Sequence, residues 1–158
     1  MKKLLLPALF TIILFSGCLN DNSSNDPCSD FDQPSQRDFL EENAQKEDIT
    51  VTDSGLQYRI IEEGSGARPN AQSDVIVNYV GSLTDGTIFD SGSSVRFPVG
   101  GVIPGFGEGV RLMNVGSTYE LFLPAPLAYG DFPPPNSDIC PGQVLIFEVE
   151  LLDVRQGQ

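Results

Sequence analysis

The stretch VNYVGSLTDGTIFDS, residues 77–91, decides how this chain is read. It opens as a β-strand, turns at Asp85-Gly86, a pair suited to the positive backbone angles of a tight turn, and then sets an aromatic ring directly beside a carboxylate, Phe89-Asp90. The chain contains no His and no Trp. Ring and acid must therefore work without the usual acid/base partners.

On either side the pattern is that of strands: LQYRII (56–61), VIVNYVGSL (75–83), STYELFL (117–123) and VLIFEVELL (144–152). In the last, Leu145, Phe147, Val149 and Leu151 share one face by period-two alternation while Glu148 and Glu150 share the other, as in a half-buried antiparallel strand. One helix is expected within this β-rich region, in VIPGFGEGVRLMNVG (102–116). Pro104 stands near its start, Phe106, Val110 and Met113 follow at i, i+4 and i+7, and residues 114–116 form a stop. Gly107 and Gly109 lower its intrinsic propensity by about 1 kcal/mol each, so packing must hold it on the sheet. The expected fold class is α+β, a twisted antiparallel sheet with one short α-helix packed on it. Upstream, SQRDFLEENAQKED has Phe39, Leu40 and Ala44 at near-helical spacing, which predicts a short helix from Ser35 to about Lys46. Its thin apolar face argues against dimerisation through this helix, and a monomer is expected.

Composition excludes several chemistries. Without His, a serine triad or a His-based metal site is ruled out. GGVIPGFGEG (100–109) matches neither a phosphate-cradling loop nor a dinucleotide fingerprint followed by a βαβ unit. Apolar surface and hydrogen bonds remain.

A chain of 158 residues is one domain plus appendages, since domains run to roughly 100 to 150 residues. At the N-terminus, Lys2-Lys3, an apolar run from Leu4 to Phe15 and the small pair Ser16-Gly17 read as a secretory signal. Cys18 directly after FSG points to a bacterial lipoprotein in which this thiol carries the lipid; the alternative is a signal segment with Cys18 incidental. Removing Lys2 and Lys3 from the nine basic residues leaves seven against 22 acidic ones, a formal charge of −15. Nucleic acid and anionic lipid surfaces are poor partners for such a chain. In an oxidising compartment Cys28 and Cys140 either pair, contributing ~4 kcal/mol by closing a long loop, or remain two free thiols. Residues 19–34, rich in Asn, Ser, Asp and Pro, read as a solvated tether.

Together, VNYVGSLTDGTIFDS, FPVGGVIPGFGEGVRLMNVGSTYELFLP, LAYG and LIFEVELLDV resemble the FKBP-type peptidyl-prolyl cis-trans isomerases in order, spacing and length, from about Gly55 to Val154. FLEENAQKEDITVTDSGLQY (39–58) looks like the lead-in segment of the macrophage infectivity potentiator-like branch, without that branch's long dimerising helix. The resemblance implies a sheet wrapped around the short helix and an aromatic pocket for a prolyl ring. It carries over Tyr79, Phe89, Asp90, Val102, Ile103, Phe106, Tyr129 and Phe147 as site residues, with Phe97 and Ile139 at the positions where this chain departs most. Phe106 stands where many members have Trp, which keeps the flat floor and removes an indole donor. Taken singly, Phe89, Phe106 and Phe147 would read as core, and Asp90 as a turn acid.

The resemblance further implies that the Ile103 N–H and the Tyr129 hydroxyl anchor substrate carbonyls, and that Asp90 organises the wall through Tyr79 without acting as a base. No metal or cofactor is needed. Expected partners are proline-containing unfolded or exported polypeptides, macrolide-type inhibitors and, through the anchor, a membrane. The expected organisation is a signal peptide (1–17), a lipidated Cys18 with tether and short helix (18–48) and an isomerase domain (49–156). Leu19, not Asp, follows Cys18, which in a two-membrane bacterium directs the protein to the outer membrane, facing the periplasm. The competing reading is the same fold used as a binding or chaperone module.

Overall fold

The computed structural model describes residues 28–155; the signal segment, Cys18 and residues 19–27 lie outside them. Six strands, β1 (Thr50–Val51), β2 (Gln57–Glu62), β3 (Asp74–Ser82), β4 (Ile88–Pro98), β5 (Thr118–Leu123) and β6 (Leu145–Arg155), form one antiparallel sheet in the order β1-β2-β5-β6-β3-β4. Helix α1 (Gln33–Asn43) precedes the sheet and helix α2 (Pro104–Leu112) interrupts it between β4 and β5. Among the described residues no helix is long and apolar enough to cross a membrane.

The alternation in β6 sets the core. Leu145, Phe147, Val149 and Leu151 are at most 5% exposed while Glu148 and Glu150 face solvent. Strand register places Leu121 of β5 and Gly81 of β3 on either side of Phe147, so one row of side chains crosses three strands on the α2 face. Val110 of α2 and Met113 just beyond its end are fully buried against this face, and Phe106 is 4% exposed. The helix approaches so closely that a Cβ on Gly109 would lie 2.4 Å from Leu121 Cδ1, and one on Gly105 2.6 Å from Leu123 Cγ. The glycines that weaken α2 as an isolated helix thus let it bed directly on the sheet, and the dispersion and burial gained offset their propensity cost.

Strand β4 is not among the strands expected from sequence. Its middle, residues 90–94 (DSGSS), is small and polar, and its burial follows no period-two pattern because it is an edge strand paired only to β3. A bulge also breaks it: the register shifts between Val77 and Tyr79, opposite Ser94, which has φ 54°. An extra residue there reverses which way the later side chains face, so alternation cannot be read through it.

Helix α1 starts two residues earlier and stops earlier than its apolar spacing predicts. Its side chains Phe39, Leu40 and Ala44 are only half-buried, and Gln36 and Asn43 are the ones fully enclosed. It lies on the face opposite α2, since Phe39 packs on Phe122 at 6.2 Å between ring centroids while the neighbouring Leu121 faces α2. The docking is polar. Asn43 Nδ2 donates to Gln57 Oε1 (2.9 Å), Gln57 Nε2 to the Leu40 carbonyl (2.9 Å), and Gln36 Nε2 to Thr84 Oγ1 (3.1 Å). Gln36 Oε1 accepts from the Val144 N–H and from Gln143 Nε2, each at 3.2 Å. Buried amides with every partner in place fix one orientation, because any other leaves them unpaired in a low-dielectric interior.

The stretch 28–34, read from composition as the end of a solvated tether, is held to the domain. Cys28 and Cys140 are disulfide-bonded across a sequence separation of 112, with Cα atoms 5.6 Å apart, and Gln33 Nε2 donates to the Pro141 carbonyl at 3.1 Å. In the chain-entropy picture a loop of that length contributes about 4 to 5 kcal/mol. Reduction, or Cys140→Ser, is expected to lower the midpoint of thermal unfolding by roughly 10 °C. Unfolding curves with and without reductant that superimpose would show that the bond adds nothing.

Candidate active site

On the α2 face, where β3, β4 and β6 meet the N-terminus of the helix, the sheet leaves a cleft of about 300 Å³ lined by Tyr79, Asp90, Phe97, Gly101, Val102, Ile103, Phe106, Tyr129 and Phe147. Its floor is Phe106. That ring stands nearly edge-on to Phe147 (5.3 Å, 79°), Phe97 (6.1 Å, 74°) and Tyr79 (6.2 Å, 80°). Edge-to-face contacts of this kind add about 0.5 to 1.5 kcal/mol each beyond the area they bury, so the floor is rigid before anything binds.

Phe89 and Ile139 do not line the cleft. Phe89 stands behind Phe147, perpendicular to it at 5.5 Å. Both rings use the space left by Gly81, where a Cβ would lie 2.7 Å from Phe89 Cζ and 2.9 Å from Phe147 Cε1. Ile139 is 5% exposed in the main apolar core. Gly101 lines the cleft and is absent from the residues expected there; the signal in the chain was the Gly-Gly pair in VGGVIPG.

Four of the lining residues bring polar groups, Tyr79, Asp90, Ile103 through its N–H, and Tyr129. The Tyr79 hydroxyl donates to Asp90 Oδ2 at 2.9 Å, and Asp90 Oδ1 accepts from the Ser91 N–H at 2.8 Å. Burial first, and then the Asp90 carboxylate, push the Tyr79 phenol up from 10.0 to about 12. Asp90 is therefore already engaged as an acceptor. Ile103 precedes Pro104, and the proline ring drives it to extended geometry (φ −57°, ψ 144°) at the head of α2. Among the described residues its N–H has no intramolecular acceptor. Tyr129 follows the 3-10 turn Ala125–Leu127, and the base of its loop is closed by Gly130 N–H to Ala125 O (2.8 Å) and Gly142 N–H to Gly130 O (2.9 Å).

A larger, open hollow of about 570 Å³ lies on the opposite sheet face around Asn78, Val80, Glu148 and Glu150. It is bordered largely by polar side chains, with Tyr79 its one aromatic residue. The ring-lined cleft is the site with shape and chemistry for a small apolar group.

Residues 66–152 match the family model described as FKBP-type peptidyl-prolyl cis-trans isomerase, and residues 32–60 match the domain amino terminal to it. The FKBP-type 22 kDa peptidyl-prolyl cis-trans isomerase of Escherichia coli K12 is 50% identical over 120 residues, covering 73% of this chain and 58% of that protein. Outer membrane protein MIP of Legionella longbeachae is 46% identical over 126 residues, covering 75% and 52%. The crystal structure of a peptidyl-prolyl cis-trans isomerase from Pseudomonas syringae superposes with a TM-score of 0.75 at 31% identity, covering 78% of this chain and 93% of that one. The architecture is thus the FKBP-like α+β fold. The chain belongs to the FKBP-type peptidyl-prolyl cis-trans isomerase family, and it spans about half the length of the curated relatives it matches.

The Tyr79–Asp90 bond makes a checkable statement. Because the folded state raises the phenol's pKa, the stability it contributes is complete below pH 10 and is lost as pH rises through about 12. Phenolate absorbance should show late transitions from Tyr79 and from Tyr119, the latter also raised to about 12 by burial and by Glu63. Asp90→Asn should bring one of these two late transitions down. An unchanged titration in that variant would dissociate the carboxylate from Tyr79.

Proposed function

We propose that this chain is a peptidyl-prolyl cis-trans isomerase acting on proline-containing segments of exported polypeptides. The observation that carries the reading is the cleft itself: a floor of edge-packed rings under Phe106, with the Ile103 N–H and the Tyr129 side chain at its wall. A barrier of about 18 to 20 kcal/mol separates the two planar forms of a peptide bond, because conjugation stiffens C–N. For X-Pro the two forms differ by only ~0.5 to 1 kcal/mol. Neither a nucleophile nor net proton transfer is required, only tighter binding of the twisted amide than of either planar one.

In this mechanism the prolyl ring rests on Phe106 between Tyr79, Phe97, Val102 and Phe147. The apolar walls exclude water that would favour the more dipolar planar amide. The Ile103 N–H and the Tyr129 hydroxyl hold substrate carbonyls on either side, so rotation is confined to the bond between them. Asp90 fixes the Tyr79 ring and accepts no substrate proton. Phe89 acts through Phe147 as a positioning residue. Macrolide-type ligands with a prolyl-like ring would compete for the same cleft.

Placement in the cell envelope belongs to the same proposal. It is supported by the FSG-Cys sequence ending at Cys18 and by a relative named as an outer membrane protein. Lipid on Cys18, after removal of residues 1–17, would anchor the domain to a membrane from its N-terminal side.

The test is turnover of a short X-Pro peptide. Tyr129→Phe should lower kcat/KM by about tenfold, the worth of one hydrogen bond in the transition state. Phe106→Ala should lower it by about 10- to 100-fold with folding retained. No turnover by well-folded protein would sink the enzyme reading. With no His in the chain and Tyr79 protonated to about pH 12, the rate should also be flat between about pH 6 and 9. A bell-shaped profile in that range would place a titrating group in the mechanism.

A further inference from the structure

The loop that carries Tyr129 continues as Asp131-Phe132-Pro133-Pro134-Pro135. Phe132 is 89% exposed, the most exposed of the large apolar side chains among the described residues. Pro134 and Pro135 beside it are also exposed, and Pro133 is half-buried. A phenylalanine held almost wholly in water gains nothing for the fold, whereas prolines with fixed φ present the segment at little entropic cost before the chain turns, the Ser137 N–H donating to the Pro134 carbonyl at 3.3 Å. An exposed aromatic residue followed directly by proline has the chemistry that the cleft would take as a ligand.

We infer that residues 132–135 of one molecule are a ligand for the ring-lined cleft of a second copy, so that the protein reversibly occupies its own site as its local concentration rises. The inference rests on the cleft's binding X-Pro segments. The segment does not serve its own cleft: the carbonyl of Tyr129, a wall residue, accepts the Phe132 N–H at 3.1 Å, and the residues between are spent in that turn. They cannot also double back to deliver a proline to the same molecule. A second copy meets no such constraint. The contact joins two different surfaces, loop to cleft, and so is not self-closing. Each copy carries a formal −13, so like-charge repulsion keeps the association weak at low ionic strength and salt strengthens it.

The experiment has two arms. In the first, the synthetic peptide Asp131 to Asp138 is added to turnover of an unrelated X-Pro reporter. Competitive inhibition is expected, with the half-inhibiting concentration at least tenfold higher for peptides carrying Phe132→Ala or alanine at all three prolines. In the second, the purified chain is sedimented over a concentration series at low and high salt. The wild type should show a mass average that rises with concentration and more steeply with salt, and the triple Pro→Ala variant should stay monomeric with unchanged turnover at dilution. Reporter turnover without inhibition by the peptide would overturn the inference while leaving the enzyme reading intact. If the reporter is not turned over, the enzyme reading fails, and the sedimentation arm still decides: identical behaviour of wild type and variant overturns the inference.

Discussion

Phe147 stands at the crossing point of this structure. It lies on β6, the strand paired to both β3 and β5, and its ring is packed edge-on against Phe106 from the helix and Phe89 from the edge strand. That arrangement exists because Gly81, its register partner on β3, presents no side chain. Fill that space and two rings must move, and with them the floor of the cleft. In a close-packed interior such a shift is not absorbed locally. The geometry of the site is therefore a consequence of core packing, and the same contacts serve stability and the shape of the pocket.

The second constraint comes from outside the sheet. The residues from Cys28 to Asn43 lie against the far face, yet they reach both walls of the cleft indirectly. Gln36 bonds Thr84 in the β3–β4 turn, whose second strand carries Phe89 and Asp90. It also bonds Gln143 and Val144, at the end of the loop that carries Tyr129, while the disulfide and Gln33 hold Cys140 and Pro141 in that loop. Polar groups buried with their partners specify position more than they stabilise. The N-terminal segment thus works as a brace across two elements that would otherwise move independently.

Much of this was legible in the chain. Period-two alternation in VLIFEVELL located the central strand, and the i, i+4, i+7 spacing of Phe106, Val110 and Met113 located the helix and its buried face, because burial on one side of a regular element leaves a periodic trace. Strand β4 left no such trace, being an edge strand broken by a bulge. Helix α1 begins two residues before the expected start, with Pro34 in its first turn, and the side chains it buries most, Gln36 and Asn43, are polar and read as surface by hydropathy.

The order of residues along the chain was enough to specify the periodic elements and the fold family, because these follow from local periodicity and from motifs kept in order. Which residues face the cleft was settled only by folding. Phe89 and Ile139 stand behind it and Gly101 within it, since facing depends on register across strands and on where a missing side chain leaves room. Folding also settled that Cys28 meets Cys140 and that residues 28–34 belong to the domain. Contacts between residues more than a hundred positions apart leave no periodic trace in the chain; they exist only once the sheet has closed the distance.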